Sequence, residues 1–353
     1  MKKMIKFPSI EQFRTVVTNV NRHFNFVGLD ENGDAIYDHS KPKPKLTFKG
    51  TVKLHGTNGA VSYNAISNMW AQSRENIITP ENDNAGFAFF VESNRLKFLE
   101  LMALIALRNQ IDTNLNTITI YGEWCGSSIQ KNVAITNLPK SFFIFGIKVS
   151  PIVDTNDEEA VKANPAYWID YSGYRSPDNK IYNIDDFKTF ELEIDFNLAQ
   201  LSQNQLVELA LEVENECPVA KVFGFSGIGE GIVWSCELNG VIHRFKVKGD
   251  KHAGKSKVKT LSTVDDEKIR KVMEIADQVT PTWRLDQALT QACNLQNGGS
   301  LDRAKLGEYI KLVISDVIKE ESDILAENGL EPKDIAKYVS EISRKYFFDQ
   351  ELV

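Results

Sequence analysis

Cysteine is scarce in this chain, with four in 353 residues, and Cys125, Cys217, Cys236 and Cys293 lie far apart with no CxxC pair. That distribution supports neither a zinc site nor a disulfide framework, and predicts reduced, mostly buried thiols. No apolar run approaches the roughly 20 residues that a membrane span requires. The start, Met1 to Phe7, is basic but lacks the apolar stretch of a secretory signal. A soluble, cytoplasmic protein is the expectation. The string Gly249-Asp-Lys-His-Ala-Gly-Lys-Ser256 fits GxxxxGK[ST], and a small-molecule enzyme that grips ATP through a phosphate-binding loop is kept as the weakest alternative. There are no internal repeats, and the one biased segment, Lys41-Pro-Lys-Pro-Lys45, reads as a short extended connector.

What is present is an ordinary globular composition, 42% hydrophobic and 25% charged, over a length that suits two domains. The formal net charge of −7 argues against nonspecific coating of nucleic acid, yet it hides a local contrast. From Arg244 to Lys259 the sequence carries seven Lys or Arg against one Asp, a local site for polyanions.

Up to about residue 250 the pattern predicts an α+β domain built on antiparallel sheets, with one apolar helical stretch. Period-two alternation and β-branched or aromatic enrichment place strands at 46–54, 59–63, 117–124, 141–149, 231–238 and 241–248. The last two flank Asn239-Gly240, a strong hairpin signal. A helix is predicted over 87–107, with Leu96, Leu99, Met102, Ala103 and Ala106 as its apolar stripe. Past Leu261 only helices are predicted. Ser262 or Thr263 would cap the first, Asp265, Asp266 and Glu267 would favour its dipole, and Ile269, Val272, Ile275 and Val279 would form its buried stripe before Pro281 ends it. Further helices follow over 283–295, 303–327 and 333–347, punctuated by Gly298-Gly299, Gly329 and Pro332. A domain boundary is expected in the basic stretch 249–259, giving domains 1–255 and 256–353.

The segment richest in chemistry is Lys53-Leu-His-Gly-Thr-Asn58, which follows a β-rich run. A lysine at a strand end beside a glycine has room for a bulky phosphorylated adduct. To act as a nucleophile it must shed its proton, although a free lysine has a pKa of about 10.4. Burial and nearby cations both favour the neutral amine. Lys246 and Lys248, two apart on a strand and so on one face, supply such cations and would also neutralise an attacked triphosphate. Taken singly, Glu123 also fits a solvated strand-end acid, Phe145 a core aromatic, and the lysine pair a basic solvated strand.

Together these segments resemble, in order, the motifs of the covalent nucleotidyltransferase superfamily of ligases and capping enzymes. The His and Thr-Asn in the first motif are similar to the RNA ligase 2 branch, which includes phage RNA ligases and kinetoplastid RNA-editing ligases. Arg74 stands about where that family places an arginine. Tyr121-Gly-Glu-Trp-Cys-Gly-Ser-Ser-Ile-Gln-Lys-Asn-Val133 resembles its glycine-glutamate segment, Phe142-Phe-Ile-Phe-Gly146 its aromatic strand, Glu230-Gly-Ile-Val-Trp234 its glutamate-glycine motif, and Phe245-Lys-Val-Lys248 its lysine pair. Phe7-Pro-Ser-Ile-Glu11 is similar to the start of many relatives. The chain departs from the pattern at Gly146, where an Asp is usual, and at Ser235 and Cys236, where Lys and often Pro are usual.

The resemblance covers about residues 5–255 and implies an ATP-grasp-like ligase domain followed by a small all-helical domain. It implies ATP as cofactor with Mg2+ or Mn2+, and a covalent lysyl-AMP on Lys53. His55 and Asn58 would act in the later steps, and Arg74, Glu123 and Phe145 would bind the nucleotide, Glu123 at the ribose and Phe145 on adenine. Glu230 would hold the metal, and Lys246 and Lys248 would offset phosphate charge. The implied partner is RNA with 5′-phosphate and 3′-hydroxyl ends, in a nicked duplex or hybrid, bound by a monomer; host cytoplasm would be the location of a phage-encoded form. A DNA ligase, a capping-type guanylyltransferase and an inactive nucleic-acid-binding relative remain alternatives.

Overall fold

The structure is a computed structural model that describes residues 2–38, 41–154, 157–252, 261, 263–297 and 299–351. The elements begin with α1 (Phe13–Asn25), β1 (Phe26–Leu29), β2 (Ala35–Tyr37), β3 (Lys45–Lys53), β4 (Thr57–Asn64), β5 (Asn68–Ser73) and β6 (Ile77–Ile78). Then come α2 (Phe87–Ser93), α3 (Arg95–Arg108), β7 (Asn116–Cys125), β8 (Ser141–Pro151), α4 (Glu158–Ala163), β9 (Tyr167–Ile169), β10 (Ile181–Asn183) and β11 (Thr189–Asp195). The chain continues through α5 (Gln203–Asn215), α6 (Pro218–Val222), β12 (Gly231–Leu238) and β13 (Val241–Lys248). It closes with α7 (Asp266–Val279), α8 (Thr282–Ala292), α9 (Leu306–Glu320), α10 (Ser322–Glu327) and α11 (Pro332–Glu351).

Contacts gather the chain into two units. One comprises 1–16, 47–193 and 205–262, the other 17–46, 194–204 and 263–353. The first holds two sheets. In the larger, β10, β8, β7, β4, β5 and β6 run side by side with β9 on the flank of β8, and in the smaller the order is β11-β3-β12-β13. Antiparallel pairing joins β3, β12 and β13 and joins β4 to β5 and β7, β5 to β6, and β8 to β7 and β9, while β10 runs parallel to β8.

Alternation decides what each sheet face does. On the larger sheet Val61, Ile118, Ile120, Trp124, Phe142 and Ile144 bury against Phe87, Phe98, Met102 and Ile105 of α2 and α3. The opposite face is polar, with Ser62 hydrogen-bonded to Thr119 at 2.9 Å and Asn64 to Thr117 at 2.9 Å. On the smaller sheet Phe48, Val52, Trp234, Phe245 and Val247 are buried, while Lys49, Thr51, Lys53, Lys246 and Lys248 alternate to the other face.

The hairpin β12–β13 turns at Asn239 and Gly240 with φ of 50° and 78°, both left-handed, as a two-residue type I′ turn requires. The helix expected over 87–107 is instead two helices broken at Asn94, whose side chain donates to Phe90 O at 2.9 Å. Its stripe differs too. Phe98, Leu101, Met102 and Ile105 are buried while Leu96 and Ala103 are exposed, because the helix buries the face that meets the sheet's aromatics. The amino-terminal part also holds more helix than the one stretch expected, namely α1, α4, α5 and α6.

The second unit buries Val272, Ile275, Val279, Leu285, Leu289, Tyr309, Val313, Val317, Ile335, Val339 and Phe347 in one helical core. Of the α7 stripe Ile269 is half-buried and the other three positions are buried. The cap is Asp265, which accepts from Lys268 N at 2.8 Å, rather than Thr263, and Ser262 lies outside the described residues. The 303–327 helix is divided into α9 and α10 at Glu321. Gly298 and the basic stretch 253–260 lie outside the described residues, and with them most of the expected boundary segment. Among the described residues no helix is long and apolar enough to cross a membrane. The cysteines are free, three buried and Cys236 half-buried.

Ile120 is fully buried between the sheet and α2–α3. Truncating a core aliphatic loses its transfer energy and leaves a cavity. Ile120→Ala should therefore destabilise the protein by about 2–5 kcal/mol, read from the urea unfolding midpoint.

Candidate active site

Three strands of the smaller sheet carry the site to one edge. Gly231 pairs with Lys53 on one side and with Lys248 on the other, so the last residue of β3, the first of β12 and the last of β13 stand in one row. Glu230 immediately precedes that row, and its carboxylate is 1% exposed. Lys53 Nζ donates to Glu230 Oε2 at 2.7 Å, His55 Nδ1 lies 3.1 Å from the same oxygen, and Lys248 Nζ pairs with Oε1 at 2.7 Å. Burial alone would raise this carboxyl's pKa, but hydrogen bonds from His55, Lys248 and Lys53 and the Lys53 charge hold it well below the usual carboxylate range.

The loop between β3 and β4 fits beneath this cluster because Gly56 has no side chain. A Cβ there would lie 2.4 Å from Trp124 O and 2.6 Å from Cys125 Cβ. The loop is tied at both backbone atoms. Gly56 N donates to Glu123 Oε1 at 2.9 Å, and Gln130 Nε2 donates to Gly56 O at 3.1 Å. Asn58 stands opposite Glu123 in the β4–β7 register. Burial pushes the Glu123 carboxyl up to about 7; the Lys53 charge pulls it down, Glu230 pushes it up further, and the Gly56 N–H and His55 lower it. The two acids are thus driven apart, one firmly ionised and one poised near neutrality, which is a common mark of a functional site.

Of the residues singled out in the sequence, Lys53, His55, Glu230 and Lys248 are in direct contact, and Glu123 joins through Gly56 and through electrostatics. Lys246 is on the Lys248 face but is exposed, and pairs with no acid among the described residues. Partial burial of its amine and the cations Lys248, Lys53 and Arg74 lower its pKa. Arg74 is exposed, with Glu75 at 3.8 Å as its ion-pair partner, and belongs to the site through its field. Phe145 touches none of these groups. It is the extra residue of a β-bulge, where Gly122 pairs with Ile144 but Tyr121 with Gly146, and its ring meets Phe7 edge-on at 5.1 Å.

Sequence reasoning missed a second layer behind His55. The His252 ring packs edge-on against it at 5.6 Å, and His252 Nδ1 lies 3.6 Å from Glu214, a buried acid on α5 that also accepts from Lys251 N at 2.8 Å. Nothing in the spacing of residues 55, 214 and 252 marks them as neighbours. Gln130 lay inside a quoted motif but carried no assigned task.

Where a carboxyl is more readily protonated in the folded state, the folded state loses stability as pH rises through the window from about 4.5 to about 7. Glu123→Gln removes that penalty. The mutant should gain stability relative to the native chain between pH 4.5 and 7, by up to about 3 kcal/mol, and no relative gain should develop below pH 4. Denaturant midpoints at a series of pH values measure it.

Comparison with known proteins agrees on the family. The RNA ligase family model matches residues 47–248, more than half of the chain. No curated protein matches. Among solved structures, a Naegleria gruberi RNA ligase with PPi is 15% identical, with a TM-score of 0.40 over 70% of this chain and 57% of that one. A point mutant of that ligase with ATP and Mn gives 17% identity and a TM-score of 0.40 over 72% and 58%, and a second such mutant 16% and 0.41 over 72% and 59%. This chain therefore spans less than three fifths of the length of those solved ligases. The matched span runs from within β3 to the end of β13 and contains the whole buried-carboxylate cluster with its lysines, and on that match the chain belongs to the RNA ligase family.

Proposed function

We propose that the protein is an ATP-dependent RNA ligase that joins 5′-phosphate and 3′-hydroxyl ends through a lysyl-AMP on Lys53. The observation that carries the reading is the convergence of Lys53, His55 and Lys248 on the one buried carboxylate of Glu230. In this reading residues 1–255 perform the chemistry and the helices of 256–353 grip the RNA duplex.

Lys53 begins as the donor to Glu230, and it must lose a proton to solvent and release that bond before its freed lone pair can turn on the α-phosphate of ATP. A P–N bond then forms as the P–O bond to pyrophosphate breaks. Lys248 and Lys246 sit on the face toward the phosphates and stabilise the charge that develops there. Glu123, as a carboxylate, accepts hydrogen bonds from the ribose hydroxyls, Arg74 adds positive field, and Phe145 offers its ring to the base. In the second step a 5′-phosphate oxygen of RNA attacks the adenylate, the P–N bond breaks, and the Lys53 nitrogen takes up a proton as it leaves. His55 shares its Glu230 oxygen with that nitrogen, and in this reading His55 and Asn58 contact the incoming phosphate. In the third step the 3′-hydroxyl attacks the activated 5′-phosphorus, loses its proton, and AMP departs.

The donor set fits a divalent cation of the Mg2+ or Mn2+ kind. Such ions take oxygen ligands and keep several waters, so one carboxylate beside a triphosphate suffices, and Glu230 is the residue that would hold it. No group of three or more acidic, His or Cys side chains able to hold a metal occurs among the described residues. When bound, the ion supplies further charge neutralisation at the phosphates.

Sealing assays test the proposal, using nicked duplexes with ribose or deoxyribose at the 3′ side of the nick and Mg2+ with ATP. The native chain should seal the ribose nick at least tenfold faster. Lys53→Ala should lose at least a thousandfold on 5′-phosphate ends yet still join ends supplied already adenylylated, because the third step does not use the lysine. Equal sealing of both sugars would remove the RNA assignment, and undiminished sealing by Lys53→Ala would remove the nucleophile.

A further inference from the structure

The two sheets meet in a group of aromatic and cationic side chains around Phe7 and Arg244. First, Arg244, Lys246 and Lys248 share one face of β13, about 7 Å apart along the strand. Lys248 touches Glu230, so Arg244 lies two alternations along the strand from the Glu230 cluster. Second, Arg244 is surrounded by aromatic rings. The Arg244 guanidinium lies 4.3 Å from the centroid of Trp168 and 5.3 Å from that of Phe7, and Phe7 meets Tyr121, Phe145 and Trp168 edge-on at 5.1–5.4 Å. Third, the two departures from the family pattern are what admit this arrangement. A Cβ at Gly146 would lie 3.3 Å from Trp168 and 3.5 Å from Phe7, so a longer side chain there would compete for their space. Ser235 stands directly opposite Arg244 in the register, a small residue beside a large one.

Fourth, this group is cationic, and the nearby acid Asp185 is engaged by Tyr171 and Lys49. Among the described residues no carboxylate pairs with Arg244 or with Lys148, whose amine lies 5.5 Å from the Trp168 centroid. Burial lowers Arg244 to about 10, and it lowers Lys148 as well, with Arg244 adding to that effect. The polar groups beside the rings are already engaged. Tyr121 donates to Ile5 O at 3.0 Å, and Gln72 holds the same residue through both its N–H and its carbonyl. Tyr171 donates to Asp185 at 3.1 Å, and Lys49 pairs with that acid at 2.7 Å.

We propose that Arg244, braced on Trp168 and Phe7, reads the base of the bound nucleotide by donating to its acceptor edge, so that the site admits purines with a 6-carbonyl as well as adenine. A guanidinium stacked on a ring keeps its N–H groups in the plane of its fork, where they meet acceptors edge-on. Hypoxanthine offers O6 and N7 together, whereas adenine offers N7 beside an N6 amino donor. A pocket built to accept the N6 hydrogens would reject the 6-carbonyl analogue by several orders of magnitude, since a buried acceptor would be left unpaired. This inference rests on the proposed ligase reading, because it presumes a nucleotide whose phosphates lie at Lys53 and Glu230.

The test measures covalent transfer of α-labelled ATP and ITP to the native chain, Arg244→Met, Trp168→Ala and Lys53→Ala, with thermal melts confirming that each variant folds. The native chain should use ITP with kcat/KM within tenfold of ATP. Arg244→Met keeps an apolar stem and loses the donors. Its kcat/KM for ITP should fall at least tenfold more than for ATP, with the loss in KM, and Trp168→Ala should shift in the same sense. Native labelling by ATP with ITP rejected a hundredfold or more would overturn this inference alone, as would equal losses for both nucleotides in folded Arg244→Met. Absence of Lys53-dependent label with either nucleotide would overturn the ligase reading and this inference with it.

Discussion

One buried carboxylate organises this molecule. Glu230 is closed off from water and takes its two oxygens to Lys53, His55 and Lys248, residues that come from two distant segments of the chain. Removing such a carboxylate from water is costly, and only close, well-directed cations offset the cost. The fold meets that demand through register, since β3, β12 and β13 end in one row beside Glu230. The same arrangement holds Lys53, the proposed nucleophile, in a defined place by its bond to Glu230. Glu123, on the other sheet, is pushed the opposite way by burial and anchors the loop beneath the lysine through Gly56.

The rest of the first unit serves to bring two polar sheet faces together. Each sheet buries its apolar face elsewhere, the larger one against α2 and α3 and the smaller one in the cluster of Phe48, Trp234, Phe245 and Phe13. The faces left over carry the lysines, the acids and the aromatic group around Phe7. One end is built on ionised acids and lysines, and the other is aromatic, with Arg244 stacked on its rings. A nucleotide has the same polarity, with phosphates at one end and a flat base at the other. The amino-terminal segment matters here because Ile5 is held by Gln72 and Tyr121, which fixes Phe7 over the rings.

Much of this was legible in the sequence, and for identifiable reasons. The strands that carry the lysines alternate cleanly, and Asn239-Gly240 fixes the one hairpin whose register sets Lys246 and Lys248, so those elements are found at their expected bounds. Lys53 sits at a strand end beside a glycine that packing requires to be glycine. What escaped notice depends on contacts between residues far apart in sequence. The break at Asn94 comes from a local side-chain bond that periodicity does not register, and α3 buries Phe98 and Leu101 because the sheet lies on that side. His252 reaches His55 across nearly 200 positions, and Arg244 was counted only as one charge in a basic run, although its neighbours are rings rather than phosphates. Gly146 and Ser235, which stand out in the sequence only as departures, acquire a reason once Trp168 and Arg244 are seen beside them.

The central claim is that the amine held by Glu230 becomes the carrier of AMP. Incubation of the native chain with ATP and Mg2+ in the absence of RNA, followed by peptide mapping by mass spectrometry, addresses it most directly. The account predicts a single adenylate adduct on the peptide that contains Lys53, lost when pyrophosphate is added back. An unmodified Lys53 peptide, or an adduct on any other lysine, would contradict it.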